Sequence, residues 1–566
     1  MTHRAFARPF IVLSLSLALA GEIAALYAQE SESTPFTARF LPAIGSTLAP
    51  SAPLPEKIDA LYEESTSTAT DESAAGITTD LDIVPASALD SLEMLDQVAA
   101  NNPTGAKSAA PKKPAKPSEP PKPYKGVFYD NDFSYLDKPG NKFFYFGDSL
   151  KRIHCGDCWV MDFGGEYRAR YQHESNLRGS NLSGLSDSFL LHRTRLFANA
   201  DYSNAFRLYA EAIDANSEFE DFPPRTIEEN RFDALNLFGD ALLLDTGEGM
   251  WTGRVGRQEL LYGEQRLISP LDWANTRRTF DGANIFYRGS DWNVDGFWAR
   301  PVPFAQHVNS DSNFDSSDDS QEFIGLYSTY KGKKDQTYDF YFLRFAEYEG
   351  PGTFFAPTDA DPMLFGARWQ GKQDCYLWDF EGGYQFGEWG TLDQTAGYFT
   401  AGLGREWAKN KYKPKVYLYY DYASGDQDPT DDKHQTFFQY FPLVHKYFGF
   451  CDLVARQNIH DLNFPLTLQT SKQTQFLIWH HIFWLDSARD ALYNAAGAPI
   501  RFDPTGSSGT YVGQETDVTW LYNYNPRMDV LFGYSHFWPG TFVNNTTPPG
   551  VGTEVDFFYT QFTVRF

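Results

Sequence analysis

Beyond its amino terminus the chain has no long apolar run. A membrane helix needs about twenty consecutive apolar residues, so a helical membrane protein is excluded even though 42% of the residues are hydrophobic. Cysteine is scarce, with four in 566 residues, which argues against a disulfide-stapled scaffold. Cys155 and Cys158 have C-x-x-C spacing, but no second pair completes a zinc site and no thioredoxin-like context surrounds them. They read as a local disulfide or two ordinary thiols near the entrance of the folded region. Positive charge is also in deficit. Lys and Arg number 48 against 74 Asp and Glu, a net charge of −26. Nucleic acid is therefore not an expected partner, since phosphate recognition needs clustered surface cations. No G-x-S-x-G is found, and His480–His481 is the one adjacent His pair. It reads as interfacial packing at the end of an aromatic strand rather than part of a hydrolase.

Aromatic residues are abundant: 48 Phe, 33 Tyr and 13 Trp make up 17% of the chain. In a chain that is hydrophilic overall, this suits alternating strands with aromatic girdles. The carboxy-terminal stretch, Asp556–Phe566, shows the pattern. Phe558, Thr560, Phe562, Val564 and Phe566 share one face, and Tyr559, Gln561, Thr563 and Arg565 share the other. One face suits hydrocarbon and the other water. The stretch resembles the terminal strand of an outer-membrane barrel.

Three regions follow in order. Residues 1–28 read as a signal peptide, with Arg4 and Arg8, the apolar stretch Phe10–Leu19, and small residues for cleavage at Ala18–Ala20 or Ala28. Residues 29–125 are rich in Ser, Thr, Ala and Pro, and end in a Pro/Lys tract from Ala109 to Lys125. This low-complexity periplasmic segment is expected to be an extended spacer, with contact to export or cell-wall components as the functional alternative. Residues 126–566 carry the alternation. Tyr167, Ala169 and Tyr171 oppose Glu166, Arg168 and Arg170; Tyr376, Trp378 and Phe380 oppose Asp379 and Glu381. Membrane strands with their turns and loops take about 24 residues each here, which gives an all-β transmembrane antiparallel barrel of about eighteen strands, with sixteen as the alternative. Such a barrel encloses an aqueous lumen unless something blocks it. Phe340–Phe345 and Phe476–Leu485 are apolar on both faces and suit a plug, an inward-folded loop or a thick aromatic belt.

The polar face of the early strands is rich in arginine: Arg168 and Arg170, then Arg193 and Arg195. Guanidinium groups bind carboxylate and phosphate through paired donors and favour anionic solutes in a pore. Glu166, Glu211, Asp379 and Glu381 share that face, so internal salt bridges are the alternative use. Gly253–Gly282 adds Arg254, Arg257, Arg266, Arg277 and Arg278, with Asp272 and Asp281 nearby. That density suits a strand leading into an inward loop. The series G-R-Q, G-x-x-R-L, D-W and R-R-x-F-D-G resembles the alginate-export family of outer-membrane barrels, most strongly over about 160–300. The resemblance implies an eighteen-stranded barrel with an Arg-rich pathway for anionic polysaccharide, and a lumen role for Arg168, Arg170, Arg193, Arg195, Arg254, Arg257, Arg266, Arg277 and Arg278.

The expected function is an outer-membrane channel that passes anionic polysaccharide or oligosaccharide without catalysis and without a resident cofactor. A general anion or small-solute uptake porin is the alternative. A lipid hydrolase or a structural surface barrel is weaker. The acidic tracts Asp311–Glu322 and Asp426–Asp432 read as solvated loops, with calcium bridging to outer-membrane lipid as a further possibility.

Overall fold

The computed structural model describes residues 121–178, 182–304, 314–348 and 359–566. The expected signal peptide, most of the 29–125 segment and the start of the Asp311–Glu322 tract lie outside the described residues. One sheet contains twenty strands, and eighteen of these form a closed antiparallel barrel. The other two are the short pieces Ile153–Cys155 and Lys433–His434. The barrel closes where the strand Trp159–Ser175 pairs antiparallel with Val555–Arg565, Glu166 opposite Arg565 and Ser175 opposite Asp556. Closure leaves no edge to satisfy, a requirement for any sheet that crosses hydrocarbon.

The alternation read from the sequence sets the two faces. In Trp159–Ser175, Glu166, Arg168, Arg170, Gln172 and Glu174 are buried inside, while Tyr171 and His173 are exposed outside. In the last strand Phe558 and Phe562 are 37% and 38% exposed, while Phe557 and Tyr559 are fully buried. Leu196, Phe365, Leu403, Leu418 and Phe532 extend the exposed apolar belt around the wall. The two rims differ. One has tight turns, such as residues 203–205, 290–291 and 374–375; the other has the long connections 259–278, 424–458 and 485–510. Short turns on one side and long loops on the other match periplasmic and outer faces of such barrels. The chain enters and leaves at the short-turn rim.

The lumen is not an open aqueous hole, as barrel size alone suggests. Two long connections fold inward and meet. Ser269 N donates to Phe441 O at 2.9 Å, Phe441 N to Leu267 O at 2.9 Å and Leu443 N to Gln265 O at 2.9 Å. This decides the apolar stretches that did not alternate: they face an inward-folded loop. The rings of Phe345 and Phe438 lie 5.5 Å apart, Phe345 and Phe441 5.4 Å, and Trp479 and Phe450 5.8 Å. The outward members, such as Phe340, stay in the exterior belt.

A second insertion comes from the short-turn side. Phe128, Phe133 and Tyr135 pack inside the wall against Phe197, Tyr209 and Phe238. Tyr124 Oη donates to Phe566 O at 2.9 Å, so packing against the barrel is already under way before residue 126.

Candidate functional site

The nine arginines singled out in the sequence fall into groups inside the barrel. The first grips one piece of backbone. Arg168 donates to Asp272 O at 2.8 Å, Trp273 O at 3.1 Å and Ala274 O at 2.6 Å. Arg170 donates to Trp273 O at 2.9 Å and lies 3.7 Å over the indole. Arg193 reaches Asp272 O at 3.0 Å and Ala274 O at 3.2 Å, and pairs with Glu166 at 2.7 Å. Adjacent strands place these side chains together because Arg168 and Arg193 are directly opposite in register.

The second group is paired with carboxylates. Arg195 meets Glu211 at 2.6 Å and covers the Phe128 ring at 3.8 Å. Arg277 pairs with Glu259 and Asp272. Burial pushes the Asp272 carboxyl up, but Arg277, Arg193 and Arg168 outweigh it and hold the group well below the usual carboxylate range. Arg254 forms a two-pronged pair with Asp240 at 2.7 and 2.9 Å, and Arg257 does the same with Asp281 at 2.8 and 3.0 Å. Arg266 bridges Asp379 and Glu381, both at 2.6 Å. Arg278 belongs to neither group: it is half-buried and donates to the carbonyls of Ser269 and Pro442, each at 3.3 Å.

The wall is therefore a network of alternating charge, with each of these guanidiniums aimed at a carboxylate or a carbonyl. Paired, hydrogen-bonded charges can be buried where isolated ones cannot. Glu166, Glu211, Asp379 and Glu381, placed on this face from the sequence, are all buried within it.

Several members were not anticipated. Arg368 joins Glu264 at 3.0 Å, Asp339 at 2.9 Å and Asp379 at 3.2 Å. Lys446 meets Glu264 at 2.8 Å. Arg368 was accessible to the period-two pattern, since Ala360, Pro362 and Leu364 precede it on the inward face. Arg178 pairs with Asp187 at 3.1 Å and Arg225 with Glu174 at 2.5 Å; these two and Lys446 lie in connections, where no periodic signal marks them. His481 is also a wall residue: it is fully buried and bonds Asp461 at 2.9 Å, whereas His480 bonds Thr516 at 2.8 Å.

A cavity of about 320 Å³ remains at the short-turn side. Arg207, Arg254, Arg288, Asp130, Asp240 and Asp295 line it beside Tyr129. Among the described residues no group of three or more His, Cys, Asp or Glu is arranged to hold a metal ion. Asp428 of the acidic tract accepts from Thr430 at 2.7 Å. Cys155 and Cys158 flank the turn that leads from the short strand into the barrel, and are free thiols.

The alginate export family model matches residues 160–553. The chain belongs to the alginate export family. No curated protein matches it. The fold is similar to that of solved porins. OccAB1 of Acinetobacter baumannii aligns at 10% identity with a TM-score of 0.48, over 72% of this chain and 96% of that one. A BenF-like porin of Pseudomonas fluorescens aligns at 9% identity with a TM-score of 0.48, over 72% and 98%. OccD3 of Pseudomonas aeruginosa aligns at 10% identity with a TM-score of 0.47, over 71% and 91%. This alginate export family member is an outer-membrane barrel and a passive channel, not an enzyme.

Proposed function

We propose that the channel passes an anionic polysaccharide or oligosaccharide, and that the nine arginines are its pathway. The observation that carries this reading is the grip of Arg168, Arg170 and Arg193 on the carbonyls of residues 272–274. A carbonyl is a neutral acceptor. A carboxylate accepts from guanidinium through a charge-assisted bond about twice as strong. A substrate carboxylate would therefore replace the loop carbonyls and let the 259–278 connection move aside. Arg195, Arg254, Arg257, Arg266 and Arg277 share their protein carboxylates, so each new contact there is an exchange rather than a capture. Transit needs that balance, because a site that binds too well stalls conduction.

Planar-bilayer recording tests the proposal. The channel should be anion-selective at neutral pH, and uronate oligomers or alginate should block small-ion current while neutral sugars of the same length should not. An R193E/R195E double variant should lose that selectivity. Equal block by neutral sugars, or cation selectivity in the parent protein, would sink the reading.

A further inference from the structure

The stretch from Asn141 to Phe146 alternates in exposure, with Phe143 packed against the inner aromatic cluster. Lys142, Phe144 and Phe146 are exposed, and Asn141, Phe143 and Tyr145 are half-buried. Phe144 is 69% and Phe146 72% exposed, far more than the lipid-facing Phe558 and Phe562. Two large aromatics left this open in water forfeit the gain of burial.

Their position tells where they point. The ring of Phe146 lies 6.0 Å from that of Phe566. Phe566 in turn lies on the outside of the barrel: a Cβ added to Gly165 would meet Leu196 Cδ2 and Phe566 Cζ, each at 3.0 Å. Leu196 is 50% exposed in the apolar belt. The chain on either side returns to the interior. Tyr135 is buried and donates to Asp148 Oδ2 at 3.0 Å, and Asp148 pairs with Arg527. Between them Gly147 takes φ +84°, and a Cβ there would stand 2.5 Å from the Phe566 carbonyl carbon. Only glycine passes so close in that conformation. The segment thus climbs out of the lumen, crosses the rim and goes back in.

We infer that Lys142, Phe144 and Phe146 form an interfacial anchor, seated in the phospholipid headgroup and upper acyl region at the short-turn rim. Aromatic side chains favour that boundary, and the lysine stem can reach an anionic phosphate from it. The occupant is lipid rather than a protein because Phe146 packs 6.0 Å from Phe566, which shares the outward face of the barrel with Leu196 of the apolar belt.

Photocrosslinking of the full chain tests this in vesicles of phosphatidylethanolamine and phosphatidylglycerol. p-Benzoylphenylalanine would be placed singly at Phe144, Phe146, the belt residue Phe562 and the loop residue Thr430, with heat-modifiable gel mobility used to select folded protein. Positions 144 and 146 should give phospholipid adducts like position 562, about tenfold above position 430. Adducts at the level of position 430, or crosslinks from 144 and 146 to a protein chain instead, would overturn the inference.

Discussion

Trp273 is fully buried although it lies in a connection rather than a strand. Arg170 covers one face at 3.7 Å, His445 stacks at 4.8 Å and the edge meets Tyr559 at 4.7 Å. It therefore ties the 259–278 connection to the first strand, to the last strand and to the other inward connection. Truncating a buried aromatic costs about 3–5 kcal/mol, and here the loss falls on the latch rather than on the wall. W273A should insert and keep its β-sheet signal, but open spontaneously in bilayers. Single-channel records of W273A with parental open probability would contradict a latch role. The sequence marked Trp273 only as part of a D-W pair. Its partners His445 and Tyr559 are far away along the chain, and stacking across such separations leaves no local pattern. Arg168 and Arg193 were legible because alternation on neighbouring strands reports a face; that they hold carbonyls was not, because the acceptor belongs to an aperiodic loop.

The strands were legible for a physical reason: each separates two solvents, so side-chain polarity must switch at every residue. The long connections carry no such constraint, and their inward folding appeared only indirectly, in the arginine density of Gly253–Gly282 and in an excess of apolar residues on strands such as Phe340–Phe345. Their stability should also depend on pH. Asp426 N donates to Asp490 Oδ2 at 2.9 Å, which joins the 424–458 connection to the 485–510 connection. Burial, then the neighbouring Asp490, pushes the Asp426 carboxyl up to about 6. Burial pushes Asp490 up as well. A raised carboxyl favours the packed state when protonated, so its contribution is complete below the unfolded value of about 3.9 and is lost as pH rises through about 6. Hydrogen exchange of the backbone around residues 424–436 should accelerate, relative to a strand control, between about pH 4 and pH 6. D426N should flatten that dependence; an unchanged profile in D426N would assign the effect elsewhere.

At the scale of the whole molecule, two obstructions lie along one path. The amino-terminal segment fills the short-turn mouth through Phe128, Phe133 and Tyr135. The 259–278 and 424–458 connections fold inward, bond to each other and narrow the middle. Neither is part of the hydrogen-bonded closure, which runs from Trp159–Ser175 to Val555–Arg565. The barrel should therefore survive removal of either, and obstructions in series limit current by the narrower one. Deleting residues 126–150 should raise conductance only slightly, since the middle stays narrow. Replacing 437–455 by a short Gly/Ser turn should also raise it only in part, since the mouth stays narrow. Joining both changes should give more than the sum of the two increments, up to the wide aqueous channel expected of about eighteen strands. Single-channel conductance of the three variants decides the matter. If either single change alone opens the pore fully, the obstructions do not act in series, and one of them is packing that ions already bypass.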